Sequence, residues 1–307
     1  MKLVFYDDFV LGVLKDGNVH DVSNAVKDVP RVTPQDLIQG VISNFGTLRD
    51  TIESEVTRSQ GVPVSQVRLR SPLPRPTHII AMAVNYMEFG ARAEPAPINA
   101  FIKSSEAVIG NDDTIVLSNA PATIFHHEAE LGVVIGKPAR NVSANDAYSY
   151  IFGYVNTIDA SARGLGNGSF YQGKSWDTLA PIGPCIVTAD EIDDPMKLPV
   201  RLSVNGTLRQ DFNTDDMAHN IQRCIEWVTA VTALEPGDVI MTGTNHQGLG
   251  AMQDGDTIEI EIEGLERLTV HVSDPQKREW PTGIDQATAD RVAGRTTTGG
   301  FGEPART

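Results

Sequence analysis

Cysteine is nearly absent: the 307 residues include two, Cys185 and Cys224. Two thiols make no disulfide framework, so the chain is expected in a reducing compartment, held together by its core. A chain of this length can bury about three-quarters of its unfolded surface and needs no staple. Long apolar runs are also missing. None approaches the ~20 residues that a membrane-crossing helix requires. The opening Met1-Lys2-Leu3-Val4-Phe5-Tyr6-Asp7-Asp8 is too short and too polar for a secretory signal. Positive charge is scarce, with 25 Lys and Arg against 40 Asp and Glu, a net charge of −15. That balance argues against binding a phosphate backbone, and the absences together predict a soluble cytoplasmic protein with neither nucleic acid nor membrane as partner. There is no internal repeat.

What the sequence does have is a stretch from His126 to Arg163 that breaks its own pattern. Glu128 and Glu130 open a strand whose continuation, Val133-Val134-Ile135, is apolar. Alternate strand residues point the same way, which puts both carboxylates on one face, roughly 6–7 Å apart. Buried together they repel, so either one stays protonated or a cation lies between them. Asp159 adds a third carboxylate at the end of the next apolar stretch, Ile151 to Ile158. Oxygen ligands without cysteine suit Mg²⁺, Mn²⁺ or Ca²⁺ better than Zn²⁺. On their own, these residues would equally fit a solvated edge strand with Asp159 capping a turn.

The rest of the chain reads as many short strands with few helices, a mainly antiparallel, β-rich α+β fold. Residues 1–70 look like a small α+β domain. It has a hairpin turning at Asp16-Gly17 and a helix over 33–59 started by Thr33, Pro34 and Asp36. The Pro-rich stretch Ser71 to Pro76 reads as a stiff linker. Residues 214–234 carry helical spacing through Met217, Ile221, Ile225, Val228 and Val231, and Thr257 to Val272 reads as a hairpin. From Gln276 onward the chain is polar, a tail whose last part, Thr296 to Thr307, is expected to be disordered.

The stretch H-H-E-A-E-L-G-V-V-I-G followed by G-Y-V-N-T-I-D-A-S-A-R resembles the core motif of the fumarylacetoacetate hydrolase family. So do Gly173-Lys174-Ser175-Trp176-Asp177-Thr178, Val204-Asn205-Gly206 with Gln210, and Leu234-Glu235-Pro236-Gly237-Asp238 with Thr242-Gly243-Thr244. The resemblance implies a mixed β-sandwich roll over 71–275, usually a homodimer, with Glu128, Glu130 and Asp159 holding Mg²⁺, Mn²⁺ or Ca²⁺. Its substrate would be a small oxo acid.

A metal-chelated 1,3-dicarbonyl or 2-oxo acid would be polarised towards an enolate, and Lys174 would add a positive charge beside it; alone, it could be an ordinary surface lysine. Tyr86, Lys103, Arg163, Gln172 and Thr244 are the expected substrate-binding residues. Thr244 could equally mark a plain turn, and Arg163 could pair a carboxylate or brace the ligands. One departure stands out. Family members that cleave C–C bonds often carry His and Glu after the first strand, as N-Y-x-x-H-x-x-E. Here Phe89 and Arg92 occupy those places. Glu88, Glu94, His126, His127 or His246 would have to substitute; we favour His246 over His126. The leading expectation is a metal-dependent hydrolase of a C–C bond in an acylpyruvate or β-diketo acid from a catabolic pathway. The alternatives are a decarboxylase, tautomerase or hydratase on the same site, or a metal-binding scaffold that has lost its base.

Overall fold

The segment with the carboxylates lies in the middle of the largest sheet. A computed structural model of the chain describes residues 1–166 and 168–295. The strand Ala129–Ile135 is buried at every position, which explains a continuous apolar run in place of an alternation. It pairs antiparallel with Ile151–Ile158, Glu130 facing Thr157, and on its other side with Val239–Met241. Ile79–Met82 then joins Val239–Met241 in parallel.

A five-stranded sheet covers one face of this large sheet. Its strand Thr257–Ile262 alternates as expected, Ile258, Ile260 and Ile262 pointing inward. These isoleucines share a core with Leu131 and Val133 of the large sheet. On the opposite face Val134, Val155 and Ile186 pack with Leu37, Ile38, Val41 and Ile52 of the N-terminal helices. Each such side chain contributes about 1.5–3 kcal/mol when fully buried. The result is the expected β-rich α+β fold, sheet upon sheet with helices outside.

Three expectations need correction. The helix over 33–59 is two helices, Pro34–Ser43 and Phe45–Arg58, broken at Asn44, although Thr33 and Asp36 do form the reciprocal cap. The helix over 214–234 is shorter, Ile221–Val231, because Asn220 caps it, and Val231 faces solvent. Residues 1–70 are not set apart from the rest of the chain. Lys2–Tyr6 pairs with Ala180–Thr188 in the large sheet, and Ser71 and Leu73 of the expected linker are buried. The polar C-terminal stretch also forms structure, a helix Gln286–Val292 capped by Asp285. Thr296 to Thr307 lie outside the described residues. Among the described residues no helix is long and apolar enough to cross a membrane.

Candidate active site

Glu128, Glu130 and Asp159 meet at the end of the paired central strands. The Asp159 amide donates to the Glu128 carbonyl at 2.9 Å, which fixes the two carboxylate-bearing segments side by side. One oxygen from each of the three carboxylates lies within 4.8 Å of the others, and all three residues are buried. Glu130 accepts from the Gly243 amide at 2.7 Å. Gly243 has φ +89°, and a side chain there would press a Cβ to 2.9 Å from that of Asn85, so this close approach needs glycine.

Positive charge is gathered round the cluster. Lys174 Nζ donates to Glu128 at 2.7 Å and to Asp159 at 2.5 Å. Lys103 pairs with Asp159, and Arg163 with Glu128. Burial alone would raise the Glu128 carboxyl, but Lys174 and Arg163 outweigh it and hold the group well below the usual carboxylate range. Glu130 goes the other way. Burial, then the Asp159 and Glu128 charges, push it well above the usual range. A hard divalent ion among the three carboxylates would remove that repulsion, and an all-oxygen donor set fits one.

The second part of the site is a buried carboxylate–histidine pair. His246 Nδ1 lies 2.7 Å from Glu88 Oε1, while the His246 amide donates to Glu88 Oε2 at 2.9 Å. Gln247 Nε2 also donates to Glu88 Oε2, at 2.8 Å. Glu88 and Phe89 both adopt left-handed backbone, each with φ of +57°, ahead of Gly90 at +74°. Two consecutive non-glycine residues in that region are strained. The turn they make sends the Glu88 side chain inward and leaves Phe89 59% exposed. His246, Thr244, Lys174, Arg163 and the three carboxylates line one cavity, together with Phe101 and Phe170. The two phenyl rings stack over it with centroids 4.6 Å apart.

Other expected residues hold different positions. His126 accepts from Arg163 Nε at Nδ1 (3.3 Å) and lies 3.0 Å from Asp285 through Nε2. Burial lowers its pKa, and both ring nitrogens are engaged, one by Arg163 and one by Asp285. His127 is pushed down to about 4 by burial. Lys103 is wholly buried behind Asp159. Tyr86 is buried in the core, edge-on to Phe212 with centroids 5.0 Å apart. Neither of these two lines the cavity, which separates them from the expected substrate contacts. Gln172 lies on the short helix Phe170–Lys174, its carbonyl accepting from Trp176 Nε1 at 2.6 Å. Thr244 Oγ1 accepts from Gln210 Nε2 at 2.8 Å. Nothing in its residue type marks Gln210 for the site, yet its Oε1 also accepts from the Ala129 amide at 3.1 Å, joining the Ala129–Ile135 strand to the Thr244 loop.

Known proteins resemble this chain along most of its length. The family model described as fumarylacetoacetate (FAA) hydrolase C-terminal matches residues 78–273. The chain is 33% identical over 288 residues to a maleylpyruvate hydrolase of Aquipseudomonas alcaligenes, covering 89% of this chain and 99% of that protein. It is 36% identical over 221 residues to the oxaloacetate tautomerase YisK of Bacillus subtilis, covering 67% and 73% respectively. A crystal structure of maleylpyruvate hydrolase from Sphingobium sp. SYK-6, in complex with manganese (II) ion and pyruvate, superposes with a TM-score of 0.82 at 36% identity, over 89% of this chain and 99% of that one. With the matched segment spanning both the carboxylate cluster and His246, the chain belongs to the fumarylacetoacetate hydrolase family.

Proposed function

We propose that this protein is a divalent-metal-dependent hydrolase that cleaves the C–C bond of a small acylpyruvate, releasing pyruvate and a carboxylic acid. The observation that carries this reading is the buried Glu88–His246 pair on the wall of the cavity that holds the three carboxylates. It supplies the base that the motif at Phe89 and Arg92 lacks. Similarity to the two maleylpyruvate hydrolases supports the substrate class.

Glu128, Glu130 and Asp159 would hold Mn²⁺ or Mg²⁺, which supplies a Lewis acid for the pyruvoyl oxygens. Glu88 keeps the His246 Nδ1 proton in place, leaving Nε2 to take a proton from water as that water attacks the distal carbonyl. The C–C bond then breaks, and its electron pair passes to the pyruvoyl half as an enolate. Lys174 adds positive charge beside that enolate. The proton on His246 returns to the enolate carbon and completes pyruvate. The protein is read as a cytoplasmic, catabolic enzyme working as a homodimer.

The test is to incubate the purified protein with Mn²⁺ and maleylpyruvate or acetylpyruvate and identify products by mass. Equimolar pyruvate and acid are expected; recovery of unchanged substrate across a panel of acylpyruvates would refute the reading. A second reading, tautomerisation of oxaloacetate, draws on the similarity to YisK and on the Lys174 position, since an enolate centre needs no water-activating base. His246→Gln separates the two, abolishing hydrolysis while leaving tautomerisation.

A further inference from the structure

We infer that the C-terminal segment 283–295 is a clasp that positions the Glu88–His246 pair, with Arg92 and Gln247 as its positioning residues. This rests on the assignment of that pair as the base. The segment lies beyond the stretch matched by the family model, which ends at residue 273. It touches both loops that carry the pair. Arg92, one turn after Glu88, donates from Nη1 to the Val292 carbonyl at 2.7 Å. Gln247 uses one amide nitrogen twice, donating to Glu88 at 2.8 Å and to the Ala289 carbonyl at 3.1 Å. The Asp285 amide donates to the Leu249 carbonyl at 2.7 Å. Gly250 lies so close beneath the segment that a Cβ there would come within 2.2 Å of the Gly283 carbonyl.

The reason for such a clasp lies in the loops themselves. The Glu88 loop holds strained left-handed backbone, and the His246 loop is a single 3₁₀ turn, His246–Gly248. Neither has a strand ladder to hold it. A strained conformation persists only where its surroundings over-determine it. Val292 and Ala289, three residues apart on one helix, take one hydrogen bond from each loop and so fix the distance between carboxylate and imidazole. Arg92 thus has a role at the position where the family's usual motif has glutamate.

The test uses full-length Gln247→Met and Arg92→Ala, with Arg92→Lys as the conservative partner able to donate to the Val292 carbonyl. Expected in both disruptive variants is a 10- to 100-fold fall in kcat for acylpyruvate hydrolysis. KM and Mn²⁺ affinity should stay within about twofold, amide hydrogen exchange over 244–250 should quicken at least tenfold, and Arg92→Lys should restore most of kcat. Unchanged kcat and exchange would overturn the clasp. So would a parallel loss of Mn²⁺ affinity, which marks general damage to the fold. If the unmodified protein hydrolyses no acylpyruvate but exchange still quickens in the variants, the clasp stands and the hydrolase reading falls.

Discussion

The two halves of the site are built in opposite ways. The carboxylate half stands on the ends of paired strands, its charges buried and matched one against another: Glu128 with Lys174 and Arg163, Asp159 with Lys103 and Lys174. The half proposed as the base stands on loops far apart in the chain, Glu88 and His246, tied by side-chain hydrogen bonds. Charges that must stay desolvated, with or without substrate, gain from a rigid ladder. A group that must accept and return a proton needs one defined partner and an open nitrogen, which loops can offer. The halves should therefore fail differently.

The largest effect is expected from the strand half. Glu128→Ala, Glu130→Ala and Asp159→Ala should each abolish Mn²⁺ binding by calorimetric titration, and activity with it. A variant that binds with normal affinity would take its residue out of the ligand set. Next, His246→Gln should lower turnover about 10²–10⁴-fold, the range for a lost general base, with Mn²⁺ affinity unchanged. Loss of metal binding in that variant would join the two halves and end the contrast. Lys174→Met should cost on the order of 10²–10³ in kcat; a near-normal rate would make the lysine structural.

A smaller effect sharpens the electrostatics of the first half. Burial and two neighbouring carboxylates hold the Glu130 proton well above the usual range in the metal-free protein, and a ligand must be deprotonated. Mn²⁺ binding should therefore release a proton, and affinity should rise with pH up to the raised pKa and level off above it. Titrations in buffers of different ionisation enthalpy measure the release; identical heats would refute it. Smallest of all, Phe89→Ala should change stability and rate little, within about 0.5 kcal/mol for an exposed site, although Phe89 stands where the family's usual histidine would be.

That last contrast shows what the sequence makes readable. Glu128 and Glu130 stand out because carboxylates interrupt an apolar run, and strand periodicity alone puts them on one face. The alternation of Ile258, Ile260 and Ile262 is equally plain, because one face meets the core and the other water. The partner of His246 is harder to read, one acidic residue among several near the motif. Which way Glu88 and Phe89 point depends on two left-handed φ angles, and nothing in their side chains demands those angles. The break at Asn44 is hidden because apolar spacing continues across it. The C-terminal helix leaves little trace in the sequence because its buried face is small, Thr288, Ala289 and Val292, within a polar stretch. The groups it offers to Arg92 and Gln247 are main-chain carbonyls, which every residue type provides.

The pairing of Lys2–Tyr6 with Ala180–Thr188 also sets an order of events during synthesis. Lys2–Tyr6 finds Val10–Lys15, and Leu69–Arg70 beside Phe5 and Tyr6, early, but Lys2 and Leu3 wait for Val187 and Ile186, almost two hundred residues later. At about 5–20 residues per second, that wait lasts roughly 10–40 s. During it, the hairpin through Val10–Lys15 and the helix Pro34–Ser43 can form locally and Leu69–Arg70 can cover Phe5 and Tyr6, but the edge at Lys2 and Leu3 stays open. Closing so long a loop is slow. A nascent chain halted near residue 150 should therefore expose a protease-sensitive, chaperone-binding edge that one halted beyond residue 230 has covered.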